Sequence, residues 1–293
     1  MGGAVALALL SALLTAISTV AQQRAAYAAA DTTSGHVGLI RALMRRPQWW
    51  AGLVGDTGGY VCQAAALGLG SLLLVQPLLV TALLFALPLG AHFANRRVSR
   101  ADWGAAVVLT VALAVFVVAG NPQAGSAHGS VDDWVIAIAI LAPITGACVI
   151  GAATSGGPRK AALLAISVGI LYGTMAVLTK GVVDLLGQGI EPLLTSPETY
   201  ALIGVGVVGT ILQQSAFSAG ALQASLPTMT VLEPAVAILL GIALLGEHID
   251  TDGFGWVLIG LAVACMIAGA VSLARSSARA EAAAATQPEP EPV

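Results

Sequence analysis

Charge is what this sequence has least of. Of 293 residues, 12 are Lys or Arg and 15 are Asp or Glu, 9% in all, against about 25% in a soluble globular domain. Such a chain cannot cover a water-facing surface, and it offers no basic stripe to nucleic acid. Aromatic residues are few as well, at 5%. Cysteine occurs three times, as Cys62, Cys148 and Cys265, each inside an apolar run and without metal-ligand spacing. The three read as buried thiols rather than a disulfide framework or a zinc site. The four histidines (His36, His92, His128 and His248) are scattered. Also missing are a phosphate-binding glycine loop, a nucleophile beside a base and a metal quartet. Nothing here supports an enzyme, and no cofactor is implied.

What the chain has in quantity is apolar residues, 57% of the total, with a mean hydropathy of +0.90. An apolar helix of about 20 residues crosses a bilayer. Windows of that length fall at 4–23, 49–69, 72–94, 102–120, 132–153, 161–180, 198–219, 222–246 and 254–274. The expectation is an all-α polytopic membrane protein with nine transmembrane helices. The first window is read as a retained span: it lacks a basic segment before it, although Ala28-Ala29-Ala30 resembles a cleavage site. Between spans one and two, Val37, Ile40, Leu43 and Met44 share a face opposite Arg41 and Arg45, which suits a short helix lying in the interface. Trp49-Trp50 and Trp103 mark membrane boundaries. Residues 276–293 end in Pro288-Glu289-Pro290-Glu291-Pro292 and read as a disordered, solvated tail.

The few charges are sorted. With nine spans, Arg24, Arg41, Arg45, Arg46, Arg96, Arg97, Arg100, Arg159, Lys160, Arg275 and Arg279 share one side. The other side holds Lys180 alone, with Asp132, Asp133, Asp184, Glu191, Glu198, Asp250 and Asp252. Cations concentrate in cytoplasmic loops, so the N-terminus is expected outside and the C-terminus in the cytoplasm of a plasma-membrane protein.

An internal repeat runs through the chain. Leu7–Arg24 aligns with Leu163–Lys180, Gly55-Asp56 with Gly209-Thr210, Gln76-Pro77 with Glu233-Pro234, and Trp103-Gly104 with the Phe254–Trp256 region. This divides the chain into a four-helix repeat over 1–120, a linking fifth helix over 121–158, a second repeat over 159–275 and the tail over 276–293. Four spans plus one linking span turn the second repeat upside down. Inverted repeats with interrupted helices at matching positions point to a carrier whose site lies at the repeat interface.

The residues that stand out are polar ones at membrane depth. Glu233 sits mid-span and is followed by Pro234, which frees a carbonyl near Thr230. An intramembrane carboxylate usually faces a cavity or a partner; the plainer alternative is a carboxyl that ties two helices together. Gln76, followed by Pro77, is its counterpart in the first half, and interhelical glue is the alternative there. Pro77 and Pro234 are the expected helix breaks. Asp56 lies among Gly55, Gly58 and Gly59, free to meet a cation or to snorkel. Gln63, Gln213 and Gln214 add neutral oxygens. Lys180 and Arg24 read as interface anchors, and Glu247 and His248 as solvated.

Gly209-Thr210, Ala219-Gly220-Ala221-Leu222-Gln223-Ala224-Ser225, Leu232-Glu233-Pro234 and Leu245-Gly246-Glu247 resemble the drug/metabolite transporter superfamily, particularly its EamA-type repeat. Gln22-Gln23, Trp49-Trp50-Ala51-Gly52, Gly55-Asp56, Pro77-Leu78 and Ser99-Arg100-Ala101-Asp102-Trp103 resemble its NIPA-type magnesium transporter branch. The likeness covers residues 4–274 and implies nine spans and a secondary transporter. Asp56 stands where that branch carries a glutamate, and Gln76 and Leu79 depart from its Thr-Pro-Leu-Gly segment. The resemblance implies Mg²⁺ or another divalent cation as cargo. Mg²⁺ prefers carboxylate and carbonyl oxygens, with Asp56 and Glu233 as its ligands and Gln63, Gln76, Gln213 and Gln214 in the same site. Two other readings stay open: a proton-coupled exporter of a small metabolite or amphipathic solute, and a non-transporting or lipid-handling envelope protein. The partners expected are the lipid bilayer and a small solute or cation, with room for a homodimer and none for nucleic acid.

Overall fold

The computed structural model describes residues 2–30, 47–93, 98–219 and 222–285. The interfacial helix expected around residues 37–45 and the Pro-Glu segment after 287 lie outside the described residues. In chain order the helices are α1 (Gly2–Ala30), α2 (Pro47–Leu69), α3 (Leu72–Leu79), α4 (Ala82–Phe93), α5 (Arg100–Gly120), α6 (Val131–Ala153), α7 (Gly157–Gln188), α8 (Ile190–Thr195), α9 (Pro197–Ser218), α10 (Leu222–Leu245) and α11 (Gly253–Ala285). Two short strands, β1 (Pro122–Gln123) and β2 (His248–Ile249), pair antiparallel, Pro122 opposite Ile249.

Eight stretches among the described residues are long and apolar enough to cross a bilayer: α1, the α3–α4 pair, α5, α6, α7, α9, α10 and α11. The outward faces agree with this. Helix α6 exposes Val135, Ile136, Ile138, Ile140, Ile144 and Ile150 and buries only Ala137 and Ala152. An apolar face of that size has to be covered, and lipid covers it. This is an all-α multi-pass membrane protein. Helix α2 falls outside the set of eight; it carries Asp56 and packs along α1.

Serine caps fix several helix starts. The hydroxyls of Ser99 and Ser130 accept the backbone N–H of Asp102 and Asp133, both at 3.1 Å, and donate to the same residues' carboxylates at 2.7 and 2.6 Å. Each closes donors that a helix N-terminus otherwise leaves unpaired.

The core is built on α7, which packs against α2, α6, α9 and α10, while α1 packs against α2, α3 and α4, and α5 against α11. Small residues set the closest approaches. A Cβ at Gly173 would stand 2.7 Å from Val236 Cβ and 2.8 Å from the Glu233 carbonyl oxygen, so only glycine lets α7 meet α10 there. On α2, a Cβ at Gly59 would stand 2.8 Å from Thr15 Oγ1, and Ser11 Oγ donates to the Gly59 carbonyl at 2.7 Å.

Several expectations are corrected. Helix α10 runs unbroken through both Pro227 and Pro234, so Pro234 is not a helix break; α7 packs closely beside it, with Gly173 against Val236. In the first half the interruption falls not at Pro77, which lies inside α3, but at Val80-Thr81, where α3 ends and α4 begins. Helix α11 continues to Ala285, into the segment expected to be disordered, because Ala, Arg and Glu are strong helix formers. The cysteines are unpaired, and none is fully buried in protein: Cys62 and Cys148 are half-buried, and Cys265 faces outward, where lipid surrounds it.

Candidate functional site

Helix α3 is the most enclosed element, with every residue from Leu72 to Leu78 buried. It carries Gln76, only 2% exposed. Gln76 Nε2 and Trp134 Nε1 are the buried side-chain polar atoms without a hydrogen-bond partner among the described residues. An unpaired buried donor costs about 1–3 kcal/mol, so an orphaned amide in the middle of a fold asks for an explanation.

A cavity supplies one. About 270 Å³ of space is lined by α1 (Ser11, Ala12, Thr15), α2 (Gln63), the α3–α4 bend (Gln76, Leu79, Val80, Ala82, Leu83) and α10 (Thr230, Glu233, Pro234). Three of the polar residues singled out in the sequence (Gln63, Gln76 and Glu233) therefore meet in one space. Gln76 comes from the first half and Glu233 from the second. The Ser11 hydroxyl proton is committed to Gly59, which leaves its oxygen to accept.

The other expected site residues do not line it. Gln213 accepts a hydrogen bond from the Tyr172 hydroxyl at 3.0 Å. Gln214 and Asp56 are exposed on α9 and α2. Asp56 precedes Gln63 by seven residues, two helical turns, which puts both on one face of α2 about 10 Å apart along its axis. Among the described residues, no three of the His, Cys, Asp or Glu side chains gather as a metal centre.

Two residues read as boundary groups turn out to be central. Lys180 Nζ and Glu247 Oε1 form an ion pair at 2.5 Å, with side-chain exposures of 7% and 0%. Glu247 Oε1 also accepts the Leu72 N–H at 2.9 Å, and its Oε2 the Leu73 N–H at 3.1 Å. The carboxylate thus sits at the N-terminus of α3, where negative charge is favoured. Gly246, at φ 66°, makes the turn, and the Glu247 N–H returns to the Gly241 carbonyl at 3.1 Å. Glu247 is not solvated, and Lys180 is not an interface anchor. The available signal was Lys180 itself, a single cation among the carboxylates of its side.

On that same side, which carries β1 and β2, His128 is held between two carboxylates. Its Nδ1 is 2.9 Å from Glu198 Oε2 and its Nε2 3.2 Å from Asp184 Oδ2. Partial burial disfavours the charged ring, but the two carboxylates outweigh it and hold the pKa above the usual 6.5. Beside it opens a pocket of about 390 Å³ whose lining includes Leu67, Ala127, Lys180, Val183 and Asp184.

A protein of Corynebacterium glutamicum, described only as uncharacterized, is 40% identical over 276 residues, covering 94% of this chain and 95% of that one. The chain belongs to that protein's family. No family model matches the chain, and no solved structure does.

Proposed function

We propose that this protein is a secondary carrier of the drug/metabolite transporter type, with Gln76 and Glu233 in its substrate site. In this reading α2 is a ninth span; its 23 residues reach about 35 Å, enough to cross a bilayer. The two halves are then inverted four-helix repeats joined by α6, in the plasma membrane with the N-terminus outside. Similar contacts in both halves favour it: α1 on α2, α3 and α4, and α7 on α9 and α10, with α5 and α11 on each other. The observation that carries the reading is that the aligned residues Gln76 and Glu233 line one cavity and that the Gln76 amide there has no partner. A substrate or its water would supply the partner.

The cavity offers one carboxylate among neutral amides and hydroxyls. That favours a small polar solute, with Glu233 as the group that exchanges a proton or a positive charge. Mg²⁺ is the second reading. It keeps several waters and accepts one or two carboxylates, and Asp56, on the Gln63 face of α2, would supply the second. Uptake into proteoliposomes decides between them, with Mg²⁺ and an amino-acid mixture offered separately, each with and without a proton gradient. Accumulation of amino acids driven by the gradient supports the first, Mg²⁺ entry the second, and movement of neither speaks against both.

A further inference from the structure

We infer that the Lys180–Glu247 pair is the gate on the β1–β2 side of the cavity and that it positions Gln76. The inference rests on the carrier reading for what the gate controls. Four contacts tie the elements together toward that face. Lys180 pairs with Glu247, Glu247 holds the N–H groups of Leu72 and Leu73, and the Tyr60 hydroxyl meets Thr179 Oγ1 at 2.8 Å. Gly68 admits Val183 so closely that a Cβ there would stand 2.7 Å from Val183 Cγ1. Every one of these joins the first half of the chain to the second, or ties α7 to the end of α10.

The chemistry of the pair suits a contact that opens. Two buried charges pay a desolvation cost that apolar residues avoid, so such a pair is weak as a stabilising device. Its cost falls when water reaches it, so the open state is not penalised as it would be for an exposed apolar seal. Water is close: Lys180 lines the 390 Å³ pocket on that face.

The link to the site runs through α3. A helix of eight residues with Pro77 inside it cannot hold its own shape by local bonding. Its first turn is anchored by the Glu247 carboxylate and by Ser71, whose hydroxyl accepts the Leu74 N–H at 3.2 Å. Gln76 lies four residues beyond Leu72. Withdrawal of Glu247 from the α3 N-terminus as the pair parts therefore frees the helix that places Gln76 in the cavity, and the gate and the site move as one. Lys180 and Glu247 are positioning residues, not substrate ligands.

The test is labelling of Gln63→Cys in a background with Cys62, Cys148 and Cys265 changed to Ser, using a membrane-impermeant maleimide. The reagent is applied from the side that labels Ser126→Cys, an exposed loop residue of the β1–β2 face. The double variant Lys180→Met/Glu247→Gln leaves no buried charge unpaired, and it should reach the membrane in normal amount and label at least tenfold faster. Lys180→Arg, which keeps the pair, should label as slowly as the parent. An unchanged rate in the double variant overturns the gate. So does loss of that variant from the membrane, which would mark the pair as a contact that only holds the fold. Labelling needs no substrate, so the gate and the carrier reading fail separately: faster labelling together with transport indifferent to Glu233→Gln keeps the gate and sinks the carrier site.

Discussion

Replacing Gln76 by Leu should stabilise the protein and abolish its transport. Leucine is close in size to glutamine and has no polar atoms. In α3 it would remove a buried amide whose nitrogen has no partner, a group that costs about 1–3 kcal/mol when left unpaired. At roughly 2–4 °C per kcal/mol for a chain of this order of length, the melting temperature should rise by about 2–12 °C. The assay is thermal unfolding of purified protein in one detergent, wild type beside Gln76→Leu, with transport measured on the same preparations. A rise in melting temperature with loss of transport is the signature of a residue held in place for a ligand. A fall of several degrees would refute the reasoning, because it would mean that the Gln76 amide is bonded in the folded protein and serves as glue between helices.

Two further outcomes follow from the loops. Cysteine placed at Ser126 should react with an impermeant reagent from outside intact cells and cysteine at Ser99 should not; the reverse pattern would invert the topology. The folded-state pKa of His128 stands above 6.5, so the protonated ring favours the folded form. Its contribution is complete below about pH 6.5 and fades as pH rises through the folded-state value. Stability should therefore decline from about pH 6 to pH 8 in wild type and less so in His128→Asn, as read by unfolding at a series of pH values; parallel curves would remove His128 from the account.

The spans were legible because their signal is local: 20 apolar residues in a row need no knowledge of neighbours. Glu233, Gln76 and Gln63 were legible for the same reason, as polar side chains at a depth where each is costly. What the sequence hides is which residues meet. Lys180 and Glu247 lie 67 residues apart, each near the end of an apolar run, where a charge ordinarily faces water. Their pairing depends on the Gly246 turn and on the start of α3, whose Leu72 and Leu73 N–H groups hold the Glu247 carboxylate. Asp56 was hidden differently. Its carboxyl and the Gln63 amide share a face of α2, but only packing shows that the cavity reaches Gln63 and stops short of Asp56. Pro234 misleads because a proline's effect on a helix depends on what lies beside it, and here α10 continues through it with α7 packed closely at Gly173.

The measurement that bears most directly on the central claim is transport by Glu233→Gln. The substitution keeps size and hydrogen-bonding capacity and removes the ionisable group from the cavity. It is read in proteoliposomes against wild type at equal reconstituted amount, using whichever of Mg²⁺ or the amino acids wild type moves. With Glu233 in the substrate site, the variant should insert and fold normally and lose at least nine-tenths of the uptake rate. Normal abundance with normal uptake would contradict the claim and leave Glu233 a structural carboxyl between helices.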